Sequence, residues 1–133
     1  MNKEIEALIR YRLDRAFESL KEAAILLERG HSNTFVNRLY YAAFYAVSAL
    51  LLTKELASAK HSGIRSLFHQ NFVKEGVVPI ELGLVYDKLF RSRQRGDYAD
   101  FVYFDIEEVR PWYSETRNFV KAIADIIEKR LEE

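Results

Sequence analysis

Residues 91–100 have the composition of a site that binds phosphate. They gather three arginines, two aspartates and a tyrosine around one glycine. Guanidinium groups bind phosphate oxygens bidentately, and an aromatic ring beside them offers a surface on which a base can stack. The sequence therefore predicts a nucleotide- or RNA-binding position here, contacted by Arg91, Arg93, Arg95 and Tyr98.

The spacing of these arginines predicts where a helix ends. Side chains two residues apart do not share a helical face, because neighbours on a helix surface are three or four residues apart. We therefore expect a helix to end in this segment, with a break at Gly96. Three interpretations stay open at this point: a solvated basic helix end, a platform for base stacking, and a subunit interface.

Few other residues have the spacing of a catalytic or metal site. His31, His61 and His69 are scattered and lack metal-ligand spacing. His61 precedes Ser62-Gly63 at the expected start of a helix, where it either contacts an anion or helps to cap the helix. Cysteine, a P-loop and a G-x-S-x-G motif are all absent. We expect no metal and no cofactor, and any nucleotide would have to be held by side chains.

The elements that must position these residues are helices. Apolar residues recur at intervals of three and four along most of the chain, which is typical of amphipathic helices. The pattern predicts an all-α antiparallel up-and-down bundle of four main helices plus a short one, formed by a single domain over residues 1–133. The expected helices cover residues 5–27, 32 or 33 to about 55, 63–74, about 79 to 96, and about 111 to 131, with residues 101–104 in a loop.

The second predicted helix should form the core. Its residues 40–47 are apolar nearly all round, so several helices or a partner subunit must cover it. Tyr40, Tyr41 and Tyr45 are interpreted as core residues, and Arg38 is expected to pair with an acidic residue of another helix. The apolar run over residues 39–52 is too short to span a bilayer, so we expect a buried helix and no membrane contact.

Composition excludes a general nucleic-acid binder. Twenty basic and twenty acidic residues cancel in this 133-residue chain, so contact with nucleic acid would need a local patch. The N-terminal residues are charged and contain no apolar stretch of the kind found in signal peptides. We therefore expect a cytoplasmic location.

Residues 37–46, His61-Ser62-Gly63 and Arg95-Gly96-Asp97-Tyr98 resemble the HEPN domain, in particular its small stand-alone prokaryotic members. The resemblance implies a helical homodimer encoded beside a minimal nucleotidyltransferase, the two forming a toxin–antitoxin pair. It also implies that the toxin is a metal-independent RNase or is similar to one. Such RNases carry an arginine followed four to six residues later by a histidine.

This chain departs from that RNase pattern. In the paired toxins, the motif continues to a tyrosine that the antitoxin nucleotidylates. On this motif Arg91 takes the place of the arginine, Gly96 that of the histidine and Tyr98 that of the modified tyrosine. Glycine cannot transfer a proton, so catalysis by Arg91 would need a substitute such as Asp97 or His61.

Binding is therefore the leading interpretation. We expect a homodimer that binds nucleotide or RNA and partners a minimal nucleotidyltransferase. The alternatives are an RNase with an altered motif, in which Arg91 and Asp97 are catalytic, and a structural dimer subunit without a ligand of its own.

Overall fold

The computed structural model describes the backbone of residues 1–98 and 102–133, and the side chains of residues 1–96 and 102–133. Most of these residues are helical and none lies in a β-strand, so the all-α prediction is confirmed. A π-helical turn at His69–Val73 directly follows the third helix. The helices are α1 Lys3–Glu28, α2 Ser32–Leu52, α3 His61–Phe68, α4 Ile80–Tyr98, α5 Ile106–Val109 and α6 Trp112–Glu132.

Local sequence signals explain several of these boundaries. The side chain of Asn2 caps α1 by accepting a hydrogen bond from the Glu4 amide at 2.7 Å. Gly30 has a φ of 76° in the turn after α1, a conformation that favours glycine. Asp105 caps α5, and Pro111 directly precedes α6. Of these boundaries, the end of α1 before Gly30 and the start of α6 after Pro111 lie where the sequence pattern predicted them.

Long helices that follow one another in the chain run in opposite directions. Between α1 and α2, contacting residues with higher numbers on one helix have lower numbers on the other, which is the pattern of antiparallel helices. The same pattern holds between α4 and α6. The C-terminal ends of α2 and α6 lie together, so these two helices run in the same direction. The contacts that define these directions are Arg15 with Tyr45, Glu22 with Arg38, Tyr86 with Phe119, Lys88 with Glu115, and Thr53 with Arg130.

Helix α2 lies in the core and packs against α1, α4 and α6. Leu39, Tyr40 and Leu50 on this helix have no exposed surface. Among the described helices, α2 alone is long and apolar enough to cross a membrane, but 72% of its most apolar window is buried within the protein. Burial on all sides is what the all-round apolar sequence of this helix predicts.

Two predicted helix boundaries are wrong. Helix α4 does not break at Gly96 but continues to Tyr98. The three arginines do not all share one face of α4: Arg91 and Arg95, one turn apart, face solvent, and Arg93 faces α2. Helix α2 ends at Leu52 rather than near Glu55, because the amides of residues 53–55 donate to carbonyls three residues back instead of four, and the turn closes at Glu55 with a positive φ of 56°.

Candidate functional site

The arginines of α4 separate into an outward pair and an inward one. Arg91 and Arg95 are exposed, lie one turn apart, and form no ion pair with any residue whose side chain is described. Arg93 is half-buried and faces α2. The side chains of Asp97 and Tyr98 lie outside the described residues, so the structure does not test their predicted roles.

Arg93 contacts two tyrosines of α2. Its guanidinium group donates a 3.3 Å hydrogen bond to the Tyr41 hydroxyl. The same group lies over both rings, 5.3 Å from the centre of Tyr40 and 5.6 Å from the centre of Tyr41. Cation–π contacts of this kind orient a guanidinium group without neutralising its charge. These contacts hold the guanidinium group of Arg93 at a half-buried position against α2.

His61 reaches the same cluster from the start of α3. Its Nδ1 atom is 2.7 Å from the Tyr40 hydroxyl, and its ring stacks on Phe44 with 4.5 Å between centres. Burial lowers the pKa of His61, and the nearby positive charge of Arg93 lowers it further. Burial also raises the pKa of Tyr40 to about 12.

These pKa shifts favour one arrangement of protons at His61. A neutral imidazole and a protonated phenol form a hydrogen bond in which the Tyr40 hydroxyl donates to Nδ1. The hydrogen of the ring then sits on Nε2, which contacts no other described polar group. Arg93 and His61 thus offer a guanidinium group and an N–H donor, a pair suited to phosphate oxygens.

We name His61, Arg93, Tyr40 and Tyr41 the His–Arg cluster. The structure brings together two of the residues predicted to bind nucleotide or RNA, Arg93 and His61, which are far apart in the sequence. It places the other described pair, Arg91 and Arg95, on the outer surface of α4.

Sequence reasoning missed the role of the tyrosines in this cluster. It interpreted them as core, which is correct for the fully buried Tyr40, while Tyr41 is half-buried and reaches the surface. The available signal was the need of a buried phenol for a hydrogen-bond partner.

Gly96 is packed against an aromatic ring. A Cβ atom on Gly96 would lie 3.0 Å from Cε2 of Phe104, so this ring fills the space that a side chain would need. Phe104 is itself held in place, because its amide donates a 2.9 Å hydrogen bond to Oδ1 of Asn33. The Asn33 side chain also donates to the carbonyl of Val102. A histidine at position 96 would therefore displace Phe104.

A second charged cluster joins α3 to α4. Arg65 Nε and His69 Nε2 lie 2.7 and 2.8 Å from the same oxygen of Asp87. Burial opposes ionisation of this carboxyl, but the hydrogen bonds from Arg65 and His69 outweigh it and lower the pKa of Asp87. Arg65 and His69 both satisfy this half-buried carboxylate, which gives them a structural role.

Arg38 has the partner that the sequence predicted. It pairs with Glu22 of α1 at 3.5 Å and lies 4.9 Å from the centre of the Tyr41 ring. The prediction of an acidic partner from another helix is confirmed. Tyr41 therefore lies between two arginines, Arg38 and Arg93.

The fold and the site define an all-α helical domain with a cluster of arginine, histidine and tyrosine on its central helices. Comparison with known proteins identifies the family. The HEPN domain pattern matches residues 9–127. The chain belongs to the HEPN domain family.

Three relatives illustrate this membership. A UPF0332 protein of Thermotoga maritima is 45% identical over 94% of this chain and 95% of its own length. A protein of Methanocaldococcus jannaschii named "Putative toxin MJ0605" is 37% identical over 74% of each chain. A second protein of that organism, named "Putative toxin MJ0142", is 35% identical over 80% of this chain and 69% of its own length.

The burial of His61 and the nearby charge of Arg93 predict a measurable shift in the pKa of His61. We expect NMR titration to place the pKa of His61 below its ordinary value of 6.5. Arg93→Gln should raise this pKa, because it removes a positive charge that opposes protonation, while the effect of burial persists. Arg29→Gln removes the same charge from an exposed position on the turn after α1 and should leave the titration unchanged.

The lowered pKa of His61 also makes the stability of the protein depend on pH. Because the pKa of His61 is lower in the folded protein, the unfolded chain binds the proton more readily. The contribution of neutral His61 to the free energy of unfolding is complete above pH 6.5 and is lost as the pH falls through the folded pKa. A His61 that titrates at or above its ordinary value would contradict the described environment.

The packing of Phe104 on Gly96 predicts a coupling between these two positions. Alanine is more stable than glycine within a helix by about 0.5–1 kcal/mol. We expect Gly96→Ala to deliver this gain only in a Phe104→Ala background, where the space for a Cβ atom is free. In the wild-type background, Gly96→Ala should stabilise the protein by less than this amount or destabilise it.

Urea denaturation of the four proteins of this double-mutant cycle measures the coupling directly. Additive changes in the free energy of unfolding would show that Phe104 does not occupy the space next to Gly96.

Proposed function

We propose that this protein is the HEPN member of a toxin–antitoxin pair and binds the phosphates of RNA or of a nucleotide. The observation that carries the proposal is the arrangement of three arginines on α4. Arg91 and Arg95 are exposed and form no ion pair with any residue whose side chain is described, and the guanidinium group of Arg93 lies close to His61. The names of the two Methanocaldococcus relatives support the toxin part of the proposal.

The electrostatics of the whole chain sharpen this proposal. Basic and acidic residues balance, so the protein has no net charge that would attract nucleic acid from all sides. Affinity for RNA would then depend on a few local contacts. Each phosphate that an arginine neutralises adds to the dependence of affinity on salt concentration.

We further propose that the protein acts as a homodimer beside a minimal nucleotidyltransferase, with Tyr98 as the residue that this partner modifies. The resemblance of Arg91, Gly96 and Tyr98 to the motif of paired toxins supports this part. The expected cytoplasmic location accords with a protein that acts on cellular RNA.

The outward arginines predict a specific loss of RNA affinity. We expect the double variant Arg91→Ala, Arg95→Ala to bind single-stranded RNA at least tenfold more weakly, because it removes two charge-assisted contacts to phosphate. The slope of log affinity against log salt concentration should fall by about 1.4 on single strands. Fluorescence anisotropy with a labelled RNA, measured at several salt concentrations, gives both quantities.

A matched control has the same loss of charge at a distance from Arg91 and Arg95. Lys3→Ala and Lys129→Ala remove two exposed positive charges at the other end of the bundle, one at the start of α1 and one near the end of α6. This control should bind RNA with an affinity close to that of the wild type. Equal affinities for all three proteins would refute the assignment of the RNA contacts to α4.

A second candidate function is RNA cleavage, and the juxtaposition of His61 with Arg93 favours it. Arg93 would stabilise the charge that develops on the phosphate. In the tautomer of His61 in which Nδ1 carries the ring hydrogen and donates to the Tyr40 oxygen, Nε2 has a free lone pair. Nε2 would accept the proton of the 2′-hydroxyl as the 2′-oxygen attacks phosphorus. The bond between phosphorus and the 5′-oxygen would break, which leaves a cyclic phosphate, and the 5′-oxygen would take up a proton from the protonated His61.

This candidate predicts that cleavage depends on one particular histidine. If the purified protein cleaves RNA, His61→Gln should abolish cleavage, because glutamine cannot transfer a proton. His31→Gln changes an exposed histidine in the same way and should leave the rate unchanged. Denaturing gels of labelled RNA measure the rate, and RNA that stays intact with the wild-type protein would leave binding as the function.

A further inference from the structure

A small cavity lies between α1, α2, α3 and the loop that leads into α3. Its volume is about 150 Å³, which is the share of about five water molecules in the liquid. The cavity is therefore large enough for a tetrahedral oxyanion, which has five heavy atoms, and too small to enclose a nucleoside. Its polar lining is Arg12, Tyr45, Ser48 and Ser58, and its apolar lining includes Phe44 and Ile64.

Arg12 brings an unbalanced positive charge to this cavity. Its side chain is half-buried and forms no hydrogen bond or ion pair with a described residue. Other arginines of α1 have partners: Arg10 pairs with Glu128, and Arg15 donates to the Tyr45 hydroxyl at 3.4 Å. A guanidinium group is always charged, and a partly buried charge is costly unless an opposite charge compensates it. An anion in the cavity would supply that compensation.

Two serine hydroxyls add neutral donors. Ser48 is only 4% exposed, lines the cavity and makes no hydrogen bond with a described residue. A hydroxyl that borders a cavity and has no described partner is available to donate a hydrogen bond to a ligand or to water in that cavity. The Ser58 oxygen accepts from the Lys60 amide at 3.2 Å, which leaves its own hydrogen available.

The chemistry of the lining selects an anion over a cation. Arginine and hydroxyl groups donate hydrogen bonds, and no carboxylate is among the described residues that line the cavity. Ile64, in the first turn of α3, also borders it, so the positive end of that helix dipole is close by. Donors, a positive charge and a volume of this size together match an oxyanion.

We propose that this cavity is a binding site for a phosphate-type oxyanion, held by Arg12, Ser48 and Ser58. The oxyanion is either inorganic phosphate or the phosphate group of a phosphomonoester whose remainder stays outside the cavity. The site goes beyond the proposed function, because it shares no polar group with the His–Arg cluster. Phe44 borders both, since it lines the cavity and stacks on His61.

Titration of the protein with inorganic phosphate tests the site. Isothermal calorimetry should show saturable binding to the wild type, and Arg12→Gln should weaken it about tenfold or more, because a hydrogen bond to a charged group is lost. Arg29→Gln, an exposed arginine on the turn after α1, should retain the wild-type affinity. Absence of saturable binding to the wild type, or equal affinity in Arg12→Gln, would overturn the proposal.

A second variant keeps the test decisive if Arg12→Gln folds poorly. Ser48→Ala removes one hydroxyl from the middle of α2 and replaces it with a good helix former. It should weaken phosphate binding while the circular dichroism spectrum stays unchanged. Wild-type affinity in Ser48→Ala would count against the site, because the hydroxyl of Ser48 would then make no contact with the anion.

The increase in the Tm of the protein with phosphate concentration is a second measure of binding. Phosphate stabilises most proteins by exclusion from their surface, but that effect is not saturable and acts equally on Arg12→Gln. The saturable part of the increase in Tm therefore reports on the site.

Competition with AMP distinguishes the two sources of the oxyanion. Displacement of phosphate by AMP identifies a phosphomonoester ligand, and failure to displace it identifies inorganic phosphate. Both results support an oxyanion site.

Discussion

The need to bury most of the surface of α2 is the constraint on which the rest of the structure depends. This helix is apolar around nearly its whole circumference, so no single neighbour can remove its surface from water. Helices α1, α4 and α6 each cover part of it. Each of these helices must therefore present an apolar stripe to α2 and a polar face to solvent.

The candidate site arises where this apolar helix carries hydroxyl groups. Tyr40 and Tyr41 bring phenols to the boundary between α2 and α4, and phenols in that position need hydrogen-bond partners. His61 and Arg93 are those partners. The contacts that satisfy the core thus hold an imidazole and a guanidinium group close together at the boundary between α2 and α4.

Much of the fold could be predicted from particular residues. Asn2, Gly30, Asp105 and Pro111 mark helix boundaries through local backbone chemistry, which depends on only a few neighbouring residues. The end of α4 could not be predicted in this way. Gly96 looks like a helix breaker in the sequence, whereas its lack of a side chain makes room for the ring of Phe104. A glycine that ends a helix and one that allows close packing have the same local sequence signal.

The sequence by itself determined the helical class, the buried second helix and the family, because hydrophobic periodicity and short motifs are local properties of a chain. It also indicated that arginines of residues 91–95 and His61 belong to a site. Only the tertiary structure decided how these residues divide, with Arg93 turned towards His61 and with Arg91 and Arg95 turned towards solvent. The physical reason is that His61 and Arg93 meet through their separate contacts with α2, and contacts between distant segments have no signature in the spacing of residues along one chain.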